Sequence, residues 1–598
     1  MMEMTKEGYY RQLFEKVKND ESELKKTYSR VSNIRLAAIV LGAVLFYFLL
    51  ETSLIITVVA WIVILAGFYR LVKYHERLEH TLGLKVTEMQ VIENELEFMR
   101  SGGSSYSGGE AFINDKHPYS TDLDVFGDFS LFKQINRSRT AAGMRILSSF
   151  FLKSQSKEEI EARQQAVKEL KEKREWILTF QSALYETTGT KTELLQGLET
   201  PPKIKFESII SAYRYLKWLV LPVIAATFYF GGIVPGMITL FGITGFHFWL
   251  AGQNSKETEP YFDQLRGHSR DLNRYEVAVS VIMEQSWESE LLRELAQKLK
   301  NEAGDLKNPI RDFQVISKRI DMKNNQFAAF FLYILSPFDL VELIKMRNWI
   351  DNHPDFFQVV FETIGGFEAL GSLGVYAFNQ DNWTFPEIAS DARPTFKASA
   401  LGHPLIKESV CNDFELSTTN RLSLITGSNM SGKSTFLRTI GCNILLAYAG
   451  APCFARNFVL TEGIELFTYM RIRDSLMENA STFKAEIERI RLLLDALIAK
   501  PKALLLVDEM LRGTNSEDKL KGSIAFLKKV VDENAFALVA THDLRTTELA
   551  VQYPDAIKTY FFEYDSKDGE LTFDYDLKEG VCKSFNASEL LRRVGLNI

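Results

Sequence analysis

The sequence predicts a C-terminal α/β domain built on a parallel sheet, preceded by an all-α region that two apolar helical hairpins interrupt. Three observations carry this reading. Apolar residues concentrate in two blocks, near 34–72 and 213–251, although the mean hydropathy of the chain is only −0.08. Outside the blocks, long charged stretches repeat apolar residues at helical spacing. After about residue 385, short leucine-rich or β-branched runs alternate with helical stretches, as in a sheet covered on both faces. The length of 598 residues leaves room for roughly four structural units. With 46% hydrophobic and 25% charged residues the chain is not a disordered one, and a net charge of −7 gives no excess of basic residues for a polyanion. Cys411, Cys442, Cys453 and Cys582 lack CxxC spacing, which argues against a disulfide framework or a zinc site and for reduced, cytosolic thiols.

Residues 1–33 read as a cytosolic helix. The first block runs from Ile34 to Leu50, breaks at Glu51-Thr52-Ser53 and resumes from Leu54 to Val72, each half being about long enough to span a bilayer. Lys25, Lys26, Arg30 and Arg35 precede it and Arg70, Lys73 and Arg77 follow it, so both ends are expected on the cytoplasmic side. Residues 73–118 hold a helix and then SGGSSYSGGE (101–110), whose composition predicts a flexible joint. A helical core is expected over 119–212, with one charged helix from about Lys157 to Ala183. The second block, 213–251, turns at Gly231-Gly232 and is flanked by Arg214, Lys217 and Lys256. It repeats the first hairpin more weakly, with Pro222 in one half and His247 in the other, the histidine being expected to pack rather than relay protons. Residues 252–385 read as further helices, from about 260 to 303 and about 323 to 347. The apolar run Phe327 to Leu335 is too short to cross a membrane and reads as a core helix.

The last segment, 386–598, carries the chemistry. Gly427-Ser428-Asn429-Met430-Ser431-Gly432-Lys433-Ser434 matches G-x-x-x-x-G-K-[ST], follows the strand-like Leu422 to Thr426 and opens a helical run at Thr435. Such a loop cradles phosphates with backbone N–H groups, its Lys433 reaches the β and γ phosphates, and the Ser434 hydroxyl can bind Mg²⁺. Ala503 to Glu509 is an apolar strand ending in two carboxylates. Asp508 is expected in the Mg²⁺ shell and Glu509 on the attacking water, a division suited to hydrolysis. A third strand, Phe536 to Ala540, ends at Thr541-His542-Asp543 and puts His542 at the same sheet edge, placed to sense a γ-phosphate. No Asn-Lys-x-Asp guanine-reading sequence occurs, which favours ATP over GTP.

Four segments, ITGSNMSGKSTFLRTIG (425–441), STFKAEIERI (481–490), LLLVDEMLRGTNSEDKLKGS (504–523) and THDLRTTEL (541–549), make the sequence resemble the MutS family of DNA mismatch-repair ATPases. HPLI near His403 with Asn412, and LKEGVCKSFNASELLRRVGL (577–596), resemble the family's nucleotide-side entry and closing element. Less specifically, 123–147 and 161–170 resemble its helical core. The resemblance implies an ABC-type P-loop ATPase acting as a homodimer, with two ATP molecules at the subunit interface and Ser481 of one chain facing ATP held by the other. It also implies helical levers that grip mismatched or branched DNA. Departures accompany the matches. The first 110 residues leave no room for the family's mismatch-reading domain, the second hairpin falls where its DNA clamp would extend, and Ser409 stands where relatives carry an aromatic residue on adenine. Three functions follow as expectations: a multi-pass membrane-tethered ATPase that handles DNA, an ATP-driven membrane machine without DNA, or, least favoured because Lys433, Asp508, Glu509 and His542 are intact, a nucleotide-gated scaffold with negligible turnover.

Overall fold

The structure, a computed structural model, describes residues 5–49, 54–185, 202–303, 309–428, 430–470, 482–511, 515–567 and 570–582. The chain begins with a helical hairpin. Helices α1 (Lys6–Leu49) and α2 (Leu54–Ser101) lie side by side, each about 65–70 Å long at 1.5 Å per residue. At its base Tyr10, Val17, Val91, Ile92 and Leu96 are buried together with Leu178, whereas Ile34, Leu36 and Leu41 farther along stay exposed. The expected polar break at 51–53 lies outside the described residues.

The glycine- and serine-rich tract after α2 is not a free joint. Tyr106 is buried, with the Arg139 guanidinium 4.3 Å from its ring centre. Ser105 N donates to Asn94 Oδ1 (2.8 Å), and Lys133 Nζ donates to Tyr106 O (2.6 Å). Composition points to flexibility here because the partners that hold the tract lie elsewhere in the sequence.

The helical core follows with α3 (Leu131–Ile135), α4 (Ala141–Phe151), α5 (Lys157–Glu172) and α6 (Arg174–Leu184). A capping box between Ser156 and Glu159 starts α5. The single helix expected from 157 to 183 breaks at Lys173 (φ −91°, ψ 50°), whose Nζ donates to Ser286 O (2.8 Å). Beyond the break Trp176 stacks on Phe180 and meets Trp287 edge-on, contacts that tie α6 to the core.

The second hairpin is α7 (Glu207–Gly231) and α8 (Ile233–Glu284), turning at Gly232 (φ +83°). Among the described residues, Glu207–Gly231 and Ile233–Asp263 are the two stretches long and apolar enough to cross a membrane. The helix expected to begin near 260 is the continuation of α8, about 78 Å long in all, and Pro260 sits inside it without ending it. Its second half enters the core, where Tyr261, Phe262, Leu265, Leu272, Tyr275 and Ile282 are buried. Helices α9 (Glu290–Ala303), α10 (Pro309–Asp321), α11 (Gln326–Leu335), α12 (Phe338–Asn352) and α13 (Phe356–Asn379) complete the α region. The helix expected over 323–347 divides at Ser336-Pro337, where proline lacks the amide donor a helix needs. Helix α11 corrects the expectation for Phe327 to Leu335: Phe327, Phe330 and Phe331 are exposed, so it is not a core helix. Helix α13 is the buried axis of the region. A Cβ on its Gly365 would stand 2.8 Å from Ala142 and 2.9 Å from Gly143 N, so only glycine lets α13 approach α4 this closely.

The C-terminal part holds two sheets. Strands β1 (Glu387–Ala389), β2 (Phe396–Leu401), β3 (Asn412–Leu416) and β5 (Asn457–Thr461) form a four-stranded sheet in the order β1-β5-β2-β3. The larger sheet contains β4 (Leu422–Thr426), β6 (Glu465–Tyr469), β7 (Ala503–Asp508), β8 (Phe536–Thr541), β9 (Ile557–Lys567) and β10 (Glu570–Glu579). Its order is β10-β9-β4-β8-β7-β6, parallel except for β10. The three strands read from RLSLITG, KALLLVDE and FALVATHD are therefore adjacent. Along β7, Leu504 and Leu506 join the core beneath α14 (Lys433–Ala449). Leu505 and Val507 face the core of α15 (Thr482–Ala499) and α16 (Ser516–Asp532), the period-two alternation of a sheet covered on both sides.

Candidate functional site

The parallel order brings the carboxyl ends of β4, β7 and β8 to one edge, where α/β sheets bind ligands. Between β4 and α14 the chain turns through Gly427 (φ +149°) and Gly432 (φ +104°). A Cβ on Gly427 would come within 2.9 Å of Phe562 O, and one on Gly432 within 3.0 Å of the Tyr575 ring, so side chains at either position would distort the loop. Lys433 folds back over it, Nζ donating to Gly427 O (2.9 Å) and Ser428 O (2.7 Å). Burial holds its amine below the ordinary lysine value. The hydroxyls of Ser428 and Ser431 are buried and have no partner. Buried polar groups are seldom left so, and these two are donors free for an anion at a helix N-terminus.

At the neighbouring strand end Ser434 Oγ donates to Asp508 Oδ2 (2.7 Å), linking loop and strand. Glu509 follows with φ +57°, and its Oε1 meets His542 Nδ1 at 2.5 Å and Lys519 Nζ at 3.0 Å. The hydrogen bond from His542, and then that from Lys519, pull the Glu509 carboxyl down to about 2 against the effect of burial.

A cavity of about 630 Å³ collects this chemistry. Ser431, Gly432, Lys433, Ser434, Asp508 and Glu509 form its polar wall, and Met430 and Thr435 also line it. Ile406, Val410, Phe562 and Tyr575 form an apolar wall. The volume falls within the range usual for small-molecule sites, which pair apolar walls with a few convergent polar groups. His542 is not a lining residue and reaches the cavity through Glu509. Asn429 and Ser481 lie outside the described residues, as do 512–514 and most of the closing element after residue 582.

Of the residues around the cavity, the sequence singles out His403, Asn412 and Ser409 but neither Lys519 nor Tyr575. Lys519 stands one helical turn into α16, inside the quoted segment LLLVDEMLRGTNSEDKLKGS but with nothing to distinguish it from neighbouring lysines. Tyr575 (φ +56°) sits in a bulge of β10 between Phe573 and Leu577. Asn412 pins that bulge: its Nδ2 donates to Tyr575 O (3.1 Å) and its Oδ1 accepts from Leu577 N (2.7 Å). His403 is buried, its imidazole pushed down to about 4 mainly by burial, and its Nδ1 accepts from Leu405 N (3.2 Å). Ser409 lines the cavity, while its Oγ accepts from His403 N (2.7 Å). Arg489 of the STFKAEIERI run donates to Pro118 O (2.5 Å) and Thr468 O (2.8 Å), joining α15 to the segment before the helical core.

These observations define an α/β domain with a glycine loop between strand and helix, and with carboxylates and a histidine at the ends of adjacent strands. Residues 423–590 match the family model of MutS domain V. The DNA mismatch repair protein MutS of Thermotoga maritima is 30% identical over 252 residues, covering 41% of this chain and 31% of that protein. MutS of Natronomonas pharaonis is 31% identical over 214 residues, covering 34% of this chain and 25% of that protein. The chain is similar to the MutS family through its C-terminal domain. It spans about a third or less of the length of these curated relatives, at 31% and 25%.

Proposed function

We propose that the protein is a Mg²⁺-dependent ATPase that handles mismatched or branched DNA while tethered to a membrane. The observation that carries the ATPase reading is the convergence, on one cavity, of the Lys433 loop, the Ser434–Asp508 pair and Glu509. The orphaned Ser428 and Ser431 hydroxyls and the glycine turns fit a polyphosphate, and Tyr575 with Phe562, Ile406 and Val410 offers a base the apolar surface that Ser409 does not. Ser434 and Asp508 would hold Mg²⁺, which supplies charge neutralisation at the phosphate oxygens. Lys433 leaves its loop carbonyls to meet the phosphates. Glu509, kept ionised by His542 and Lys519, orients the attacking water. At so low a pKa it is a weak base, so accepting the water's proton requires one of those two contacts to loosen. Thr435 and Asn429 belong to the same loop and helix start, and Ser481 would complete the site from the partner of a homodimer.

DNA as the macromolecular ligand rests on the names of the relatives. The membrane part rests on the apolar ends of both hairpins, 34–72 and 213–251, with basic residues on one side only, a pattern that supports a cytoplasmic position for the termini and the ATPase domain. A second reading, an ATP-driven membrane machine without DNA, is favoured by one observation. Helix α8 runs unbroken from the apolar turn into the core, so core movement reaches the hairpin directly. The test is steady-state ATP hydrolysis by the nanodisc-held protein with homoduplex, mismatched and branched DNA. A rate altered by one DNA structure supports the first reading. A rate indifferent to all of them supports the second, and absence of Mg²⁺-dependent turnover defeats both.

A further inference from the structure

We propose that α11 is a membrane-surface helix, its Phe327, Phe330 and Phe331 face seated among lipid headgroups and upper acyl chains beside the second hairpin. The inference rests on the reading of that hairpin as membrane-spanning and extends it to an element too short to span. The sequence of α11, QFAAFFLYIL, has no charged residue, and Phe327, Phe330 and Phe331 are 82%, 48% and 64% exposed. Such a face on a helix about 15 Å long has no place in water unless something covers it.

The depth of α11 along the hairpin says what covers it. At its far end Tyr333 is fixed to α8: His247 Nδ1 donates to Tyr333 O (2.6 Å), and the Phe248 and Tyr333 rings stack with centres 4.5 Å apart. Just before its start, Lys323 Nζ meets Glu259 Oε1 at 2.6 Å. Helix α11 therefore runs along α8 towards the turn, from the level of Glu259 to that of His247. At 1.5 Å per residue, His247 lies about 22 Å and Glu259 about 40 Å from the Gly232 turn. The three phenylalanines fall about 25–31 Å from the turn, where a hydrocarbon core of about 30 Å gives way to headgroups.

Other side chains mark the same level. On α7, Tyr213 packs edge-on against His247, which sets exposed Tyr215 and Trp218 close by, with Lys217 Nζ 5.3 Å from the Trp218 ring centre. On α8, exposed Phe246 and Trp249 stack with ring centres 5.8 Å apart. Aromatic rings gathered at one height with basic neighbours form the belt characteristic of a membrane–water boundary, and the α11 face is continuous with it.

The test uses the full chain in vesicles of phosphatidylcholine and phosphatidylglycerol, on a Cys411→Ser background because Cys411 is the exposed thiol while Cys442, Cys453 and Cys582 are buried. An environment-sensitive fluorophore is placed singly at Phe331→Cys, at Ile238→Cys within the hairpin and at Arg293→Cys on the solvent side of α9; each replaced side chain is exposed, so the core is untouched. Lipids carrying a nitroxide high on the acyl chain should quench the probe at 331 about threefold more than that at 293, with blue-shifted emission. Quenching at 238 but not at 331 overturns the inference and leaves the spanning hairpin standing. Quenching at neither defeats both. A blue shift at 331 that grows with protein concentration, without nitroxide quenching, assigns the face to a second copy of the chain and overturns the lipid assignment.

Discussion

The two helical hairpins present similar apolar ends but are fastened to the molecule by different physics. The first is clamped by polar contacts at its base. Glu95 of α2 and Arg137 form a buried bidentate pair, with Arg137 Nη2 3.1 Å from Glu95 Oε2 and the guanidinium 4.7 Å from the Phe98 ring centre. Asn379 at the end of α13 bridges Glu95 (3.2 Å) and Tyr10 (3.0 Å), and Arg174 adds a hydrogen bond to the Tyr10 hydroxyl. The second hairpin is fastened differently: its Arg347–Glu207 and Lys323–Glu259 pairs are partly exposed, and α8 is itself a core helix, buried along its second half. A clamp made of directional bonds fixes one geometry and fails when one member is lost, whereas a helix shared between core and hairpin moves only as the core moves. The difference in fastening predicts that, on the proposed function, the second hairpin moves with the core while the first holds its position.

The largest effect tests the engine. On the proposed function, Glu509→Gln should lower ATP turnover about 10³-fold while nucleotide binding persists, because it removes the group proposed to orient and accept from water and leaves the Lys433 loop intact. In that trapped state, hydrogen exchange should change in α8 and stay unchanged at the base of α1 and α2. Equal change in both hairpins would break the comparison, and an unchanged rate would remove Glu509 from the reaction.

Next in size, Arg137→Ala leaves Glu95 buried and charged without its main partner, and breaking such a pair typically costs about 3–5 kcal/mol. The expected result is a lowered unfolding temperature and protease cleavage in the 102–109 tract and the base of α2, with α7 and α8 still protected. Cleavage of both hairpins at once would mean that they unfold as one unit.

The axis helix α13, which carries the clamp residue Asn379, also holds a pH-sensitive group. Glu368 is buried beneath α4, accepting from Thr140 Oγ1 and from Arg139 N (2.7 Å), and burial raises its carboxyl from 4.5 to about 7. Between these values the folded state binds more protons than the unfolded, so this group makes stability fall as pH rises from about 4.5 to about 7. The loss is up to roughly 3 kcal/mol above that window. Glu368→Gln should flatten this part of the unfolding-temperature profile measured in detergent from pH 5 to pH 8. A variant whose profile keeps the wild-type slope would assign the slope to other groups.

What could be read from the sequence follows the range of the interactions. The loop at Gly427–Ser434, Asp508-Glu509 and His542 are each local to a strand end, and strand ends converge in a parallel sheet, so spacing alone brings them to one edge. Phe562 and Tyr575 line that cavity through the packing of β9 and a β-bulge, and Lys519 reaches Glu509 through the packing of α16, none of which spacing encodes. The 101–110 tract misleads because its glycines and serines conceal Tyr106, which is ordered by Arg139 and Lys133. Helix α11 misleads in the opposite sense, since hydropathy reports that a face must be covered and says nothing of whether protein or lipid covers it. The break at Lys173 and the continuity of α8 through Pro260 depend on tertiary contacts that override local preference.

The smallest effect sharpens the comparison most, because it asks whether polar contacts matter at the base of the second hairpin. Arg347 of α12 pairs with Glu207 at the start of α7, but their side chains are 20% and 40% exposed, so solvent screens the attraction. Pairs of this kind contribute about 0.2–1 kcal/mol, against burial of Ile210, Leu250 and Tyr261 at the same base. Arg347→Ala should therefore shift the unfolding temperature by no more than a few degrees and leave α7 and α8 as protease-resistant as before. If it frees the second hairpin as Arg137→Ala frees the first, that hairpin too is clamped by charge. The apolar continuity of α8 with the core would then not be what holds it, and its privileged coupling to nucleotide state would fall with it.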